Sequence, residues 1–466
     1  MNRPHRRDFL ATMAATAVGF GGLGRAAAAG LLGSPPRGAY GRLRPDVDGI
    51  IDLPAGFSYR LISSWGEEMD DGLLVPSLHD GMAAFDGGGG QVILVRNHEI
   101  GIDSDPSLGP FGPNLERLGR IDPESLYDAG RAGAPCLGGT TTIVYDPAQK
   151  KVIRHFLSMA GTGRNCAGGA TPWNSWITCE EWTQRANETC AKDHGWCFEV
   201  PATSHPRLAK PLPLRALGRF NHEAISVSPD GRCVYLTEDR NDGIFYRFVP
   251  KEPGRLAAGG RLQALAIEGR PSVDTRNWID PATEMPSLKP GDRLPVRWID
   301  LDEPESPEDD LRFRGFAAGA ARFARGEGIW TGTDAVHFAC TTGGIARLGQ
   351  IFSYRPSPLE GCDGEEDSPG CLELFVESEA GGIIENADNL TVAPWGDLFV
   401  NEDGIDADGI VRVRPDGSVE RFAMIRSSDS ETAGVCFSPD GSTMFVNIQH
   451  QGLTAAIQGP WAKSKS

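Results

Sequence analysis

Acidic and amide residues gather beside strand-like runs throughout the chain. Asp80 lies in His79-Asp-Gly-Met82, and Asn97-His98-Glu99 follows an apolar run at 92–95. Thr178-Cys-Glu-Glu181 follows Trp176-Ile177, Asn221-His222-Glu223 precedes Ala224-Ile225, and Glu238-Asp239 follows 234–236. Arg325-Gly326-Glu327, Asp388-Asn389 and Glu402-Asp403 continue the series. Carboxylates and Asn amides are hard oxygen donors that suit Ca²⁺. Any one alone would serve as a turn cap or a surface charge. Brought together in a low-dielectric pocket they repel, and stay ionised only if cations neutralise them. Cys166 sits in the glycine-rich turn Gly161-Thr-Gly-Arg-Asn-Cys166-Ala-Gly-Gly. A thiolate added to such oxygens brings a transition metal such as iron within reach. His98 and His222 read as packed residues, or as residues that orient a ligand, rather than as ligands.

These short motifs need a scaffold that brings many strand ends to one place. Ser228-Pro-Asp-Gly231, Ala393-Pro-Trp-Gly396 and Ser438-Pro-Asp-Gly441 each separate two apolar strand-like runs. Pro suits position i+1 of such a turn and Gly supplies a positive φ. Hairpins of this style also fit 239–249 and 409–423. Turn-linked hairpins over some 400 residues point to an all-β fold, a β-propeller of five or six blades, in which strand ends on one face converge on a central channel. The Gly and Pro counts, 59 and 34 in 466 residues, agree with many short strands and turns. Residues 250–314, rich in Pro, Gly and charge, read as a surface insertion, and 317–325 as a short helix ending at Gly326. The acidic run Pro304-Glu-Ser-Pro-Glu-Asp-Asp310 reads as a solvated loop.

The chain opens with Arg6-Arg7, a modest apolar stretch at 11–23 and an alanine-rich end at 26–29. That order reads as a twin-arginine export signal, leaving residues 30–466 as one propeller domain, exported already folded to the periplasm or beyond. In an exported protein, Cys190 with Cys197, and Cys362 with Cys371, read as short loop disulfides. Cys233, Cys340 and Cys436 read as plain buried residues. With 45 Lys and Arg against 63 Asp and Glu, the net charge is −18, which excludes a basic nucleic-acid-binding face. No apolar run beyond the first thirty residues reaches membrane-spanning length, so an integral membrane protein is not expected.

Taken together, the paired-arginine signal, Arg96-Asn-His-Glu99, Asn165-Cys-Ala-Gly-Gly-Ala-Thr-Pro-Trp173, Thr178-Cys-Glu-Glu181, His222-Glu223, Arg325-Gly-Glu327 and Asp388-Asn-Leu390 resemble the PhoX family of alkaline phosphatases. The matches keep the family's order and span most of the chain. The resemblance implies a six-bladed propeller with loop and short helical insertions, an Fe³⁺–Ca²⁺ cluster on its axis and hydrolysis of small phosphate monoesters by a monomer. By motif, Cys166 matches the bridging thiolate. Glu99, Glu180, Glu223, Glu327, Asp388, Asn389 and Asp403 match metal ligands, and Arg325 matches the phosphate-contacting arginine, with Glu327 beside it in the catalytic pair. The chain departs from the family in being shorter, in having Gly326 where proline is usual, and in carrying Arg164 before Cys166. Two other readings fit the residues: a calcium-dependent lactonase-like hydrolase, which has no need of Cys166, and a non-catalytic propeller stabilised by calcium.

Overall fold

The computed structural model describes residues 40–131, 133–404, 408–427 and 430–462; the expected export signal lies outside them. Six strands form the inner wall: His79–Gly88, Asn165–Ala170, His222–Val227, Gly326–Thr331, Ala387–Val392 and Thr432–Phe437. Each lies against the next, and the last packs on the first, so the wall closes into a ring. From each inner strand an antiparallel meander runs outward, for example through Gln91–His98, Gly138–Asp146 and Lys151–Thr162. This is a β-propeller, and closure disposes of the open edges that a flat sheet of this size would expose.

N-terminal strands complete the closure. Ser58–Ser64 pairs with Leu453–Gln458, giving the C-terminal blade its outer strand, and Ile51–Pro54 pairs with Val419–Ile425. Apolar residues at alternate strand positions fill the seams between blades. Between the first and last blades these are Ile62, Met82, Leu94, Ile143, Phe445 and Ala456. Phe245 stacks on Phe338 across another seam, with ring centroids 4.3 Å apart. The expected turns close as hydrogen-bonded turns: the N–H groups of Gly231, Gly396 and Gly441, all at positive φ, donate to the carbonyls of Ser228, Ala393 and Ser438 at 2.8 Å.

Three expectations of local structure give way. The helix is Leu311–Ala317, and the segment expected to be helical holds the short strand Arg322–Phe323 instead. The partner of Val234–Glu238 is Tyr246–Pro250, so the hairpin spans more chain than 239–249. Residues 250–314 are more than a surface excursion. Gly260–Ile267 is the outer strand of the third meander, and Arg293–Asp300 pairs with both it and Cys371–Glu377, fusing two blades into one continuous sheet. Turn-forming composition hid these strands because their apolar positions are separated by long polar connections.

The ring carries one irregularity repeated in every inner strand. In each, two residues lie opposite one on the neighbouring strand, a β-bulge just inside the strand's start. The residues caught in the bulges are Asp80-Gly81, Cys166-Ala167, Glu223-Ala224, Glu327-Gly328, Asp388-Asn389 and Gly434-Val435. A bulge re-aims a side chain that the plain pleat would send into the sheet. Gly434 is required where it stands: its φ is +63°, and a Cβ there would lie 2.5 Å from the carbonyl oxygen of Asp80.

Candidate metal centre

The bulges explain how motifs scattered over 300 residues meet. Their first residues, Asp80, Cys166, Glu223, Glu327 and Asp388, point into the ring. One residue beyond the end of five of the six second strands adds a further tier: Glu99, Glu181, Asp239, Asp403 and Gln449. Potential ligand atoms of Asp80, Glu99 and Cys166 lie within 4.8 Å of one another, as do those of Cys166, Glu181 and Glu223, and of Glu223, Glu327 and Asp388. The three groups share Cys166 and Glu223, so they form one chain of donors across the channel.

The Cys166 thiol donates to Glu223 Oε1 at 3.2 Å, while buried Glu223 Oε2 has no partner. Gln449 Nε2 donates to Asp80 Oδ2 and Glu99 Oε2, both at 2.9 Å. Asn221 Nδ2 donates to Glu181 Oε1 at 2.9 Å. Two guanidiniums rim the site. Arg164 binds Glu99 through Nε at 2.9 Å and Glu181 through Nη2 at 2.8 Å. Arg325 binds Asp239 through Nε at 2.7 Å and Glu327 through Nη2 at 2.7 Å. Both arginines sit at positive φ, 46° and 52°, immediately before their inner strands. Such strained backbone in a non-glycine residue persists only where the surroundings enforce it.

Charge in the ring is unbalanced. Burial, reinforced by neighbouring carboxylates, pushes Asp80, Glu181, Glu223, Glu327 and Glu431 well above the usual carboxylate range and raises Asp388 to about 7. Burial also raises the Cys166 thiol, with Asp80 and Glu223 adding to the effect. The carboxylates outnumber the two guanidiniums, and a buried carboxylate oxygen without a donor is costly. The donor set therefore fits multivalent cations: hard oxygens throughout, and one sulfur that adds affinity for a transition metal.

This imbalance gives a pH prediction for chelator-treated protein. A carboxylate raised in the fold binds a proton there that it releases on unfolding, so its stabilising contribution is full at low pH and is lost as pH rises through the folded value. Without metal, the melting temperature should fall between about pH 5 and pH 8, and restoring cations at about pH 6 should release protons, read by calorimetry in buffers of different ionisation enthalpy. A melting temperature independent of pH would show that the ring is already neutralised by protein groups.

Of the residues named from the sequence, the structure brings Glu99, Cys166, Glu223, Glu327 and Asp388 together, with Arg325 at the rim. Asp403 lies close enough to Asp388 to raise it. Asn389 bridges two inner strands: its Oδ1 accepts from the Gly434 N–H at 3.3 Å, and its Nδ2 has no partner. His98 and His222 are packed against protein groups, His98 between the Ser77 carbonyl and Thr141, His222 between the Gly218 carbonyl and Cys197.

Glu180 is a correction. Its side chain turns away from the ring, into the blade, where His194 Nδ1 lies at 2.6 Å and the N–H groups of Gly163, Gly195 and Trp196 donate to it at 3.0, 2.9 and 3.2 Å. Successive strand residues face opposite sides, so Glu181 takes the ring position. Glu238-Asp239 and Glu402-Asp403 divide the same way: Glu238 is bound by Tyr246 at 2.8 Å, and Glu402 pairs with Arg421. Glu431, beside the last inner strand, lies between Ser430 and Thr432 with no adjoining acidic, amide or imidazole residue to mark it in the sequence.

The disulfide pairs are a second correction, since Cys190, Cys197, Cys362 and Cys371 are all free thiols. Cys197 lies opposite Cys179 in the strand register, their sulfurs 3.6 Å apart, and Cys190 turns instead toward Cys136 and His194. Closeness along the chain did not give closeness in space, because the strand after the loop directs Cys197 into the blade.

No match emerges among curated protein sequences. Among solved structures, Pseudomonas fluorescens PhoX in complex with vanadate aligns with a TM-score of 0.64 at 19% identity, over 88% of this chain and 96% of that one. A gluconolactonase from Xanthomonas campestris aligns over 90% of this chain and 98% of its own, at 11% identity and a TM-score of only 0.35, too low to carry an argument. The model of the family described as alkaline phosphatase PhoX matches residues 38–452. With that match running from the first closing strands to the last blade, the chain belongs to the PhoX family of alkaline phosphatases.

Proposed function

We propose that this phosphatase hydrolyses phosphate monoesters at an iron–calcium cluster in the axial ring, as a protein exported through the twin-arginine pathway to the periplasm or beyond. The observation that carries the reading is Cys166: a thiol set among carboxylates, 3.2 Å from Glu223 and with Asp80, Glu99 and Glu181 around it. A site for calcium alone has no use for a sulfur donor. Cys166, Glu223, Asp80, Glu99 and Glu181 would hold the iron, and Glu327, Asp388 and Glu431 the calcium. When bound, such cations supply Lewis-acid charge at the phosphoryl oxygens and make a water acidic enough to attack. The Pseudomonas fluorescens relative is described with vanadate, a transition state analogue, which supports phosphoryl transfer by this chain.

The chain's own residues bind and orient. Arg325 is held by Asp239 and Glu327 and is 30% exposed, and among the described residues no protein group binds its Nη1. That edge is free to donate to a phosphate oxygen, a charge-assisted bond. Arg164, 42% exposed and set two inner strands away along the ring, presents a second guanidinium. Arg325→Ala should raise KM for p-nitrophenyl phosphate about ten- to a hundredfold while iron and calcium content stay unchanged. Loss of the metals with the side chain would make Arg325 a structural counter-ion. The reading as a whole is tested by metal quantification and a phosphatase assay on the exported protein. Iron with calcium and turnover of monoesters supports it; calcium alone, or metal without turnover, rejects it.

A further inference from the structure

A second cluster of ligating side chains lies inside the blades, and the axial chemistry does not use it. Asp128, Cys136, Cys190 and His194 are all buried, and their donor atoms lie within 4.8 Å of one another. We propose that these four residues form a structural zinc site, separate from the axial cluster, that staples two irregular loops together. One loop joins Gln91–His98 to Gly138–Asp146, and the other joins Ser175–Glu180 to Cys197–Pro201.

The donor chemistry and spacing are those of a closed tetrahedral site. Two sulfurs, an imidazole nitrogen and a carboxylate oxygen leave no open position, as structural zinc requires. His194 Nε2 lies 3.7 Å from Cys136 Sγ and 3.3 Å from Asp128 Oδ2. Donors sharing one zinc at ordinary bond lengths and tetrahedral angles would be about 3.5 Å apart for N and S, and about 3.4 Å for N and O. The ring of His194 is also turned correctly. Its Nδ1 faces Glu180 at 2.6 Å, which places the proton on Nδ1 and leaves Nε2 as the donor toward the cluster, the carboxylate–imidazole–metal arrangement in which a second carboxylate orients the ligand.

The loops are already gathered for the purpose. Asp128 accepts N–H bonds from Gly130 at 2.7 Å and from Lys192 at 2.9 Å, and Arg131 N–H donates to the Thr189 carbonyl at 3.1 Å. Tyr127 and Trp182 cover His194, with ring centroids 5.3 and 5.8 Å away. The other occupant of this point is a proton, making His194 an imidazolium between Glu180 and Asp128. That state engages the sulfurs only as weak acceptors of the Nε2 proton, Cys136 at 3.7 Å, whereas zinc binds all four groups as ligands.

The test is metal analysis of the full chain purified without chelator. Wild type and Cys166→Ala should each carry one equivalent of zinc, and the double variant C136S/C190S should lose it while keeping its axial metals. Should the double variant fail to fold, the wild-type protein still decides: Cys136 and Cys190 should resist alkylation until a mercurial releases zinc, and cobalt substitution should give thiolate-to-metal absorption together with a tetrahedral visible spectrum. Absence of zinc with both thiols freely alkylated would assign the point to a proton and overturn the proposal. A Cys136–Cys190 disulfide in the mass spectrum, or zinc retained by C136S/C190S, would overturn it as well.

Discussion

Cys166→Ala should lower turnover of p-nitrophenyl phosphate by at least about a hundredfold and strip most of the iron, since even residues that merely orient a metal ligand cost ten- to a hundredfold when lost. The size of the effect follows from position. Cys166 belongs to two of the three overlapping donor groups and is the sulfur that joins Asp80 and Glu99 to Glu181 and Glu223. Its removal leaves carboxylates that already resist ionisation, so the ring takes up protons in place of the cation. The fold should survive, because among the described residues the thiol makes one hydrogen bond, to Glu223. Circular dichroism and the denaturation midpoint would therefore stay near wild type while iron falls. Cys166→Ser, which keeps an oxygen donor, should retain calcium better than iron. Full iron content in Cys166→Ala would remove the residue from the centre altogether.

Glu180 and Glu181 are neighbours with opposite expected phenotypes. Glu180→Ala should destabilise the protein by about 3–5 kcal/mol, because each buried donor left without its acceptor costs about 1–3 kcal/mol. It strands three backbone N–H groups together with Nδ1 of His194, all in a fully buried pocket. Glu181→Ala should leave the urea midpoint near wild type and deplete the axial metal instead, because its carboxylate faces Cys166 and Glu223. Paired denaturation curves and metal analyses separate the two. A stable Glu180→Ala protein lacking axial metal would reverse the assignment and return Glu180 to the ring.

Much of the site was legible in the residues. Pro-Asp-Gly turns between apolar runs announced hairpins, and the acidic doublets at strand ends announced a convergent face, because turn geometry and strand periodicity are local properties. Even the inward bulge residues are visible in retrospect as a repeated pattern: His-Asp-Gly, Asn-Cys-Ala, His-Glu-Ala, Gly-Glu-Gly and Ala-Asp-Asn.

Other features depended on partners far away in the chain. Which member of Glu180-Glu181, Glu238-Asp239 or Glu402-Asp403 faces the channel turns on strand register, since a shift of one residue exchanges the two faces. The bulges are defined only by the neighbouring strand that each inner strand meets. The cysteines make the same point: sequence spacing paired Cys190 with Cys197, but the register set Cys197 beside Cys179 and left Cys190 facing Cys136. The amino-acid order by itself determined the repeating hairpins and the kinds of donor available. Closure of the ring decided which donors meet, because electrostatic repulsion and metal affinity depend on distances that only the packed blades impose.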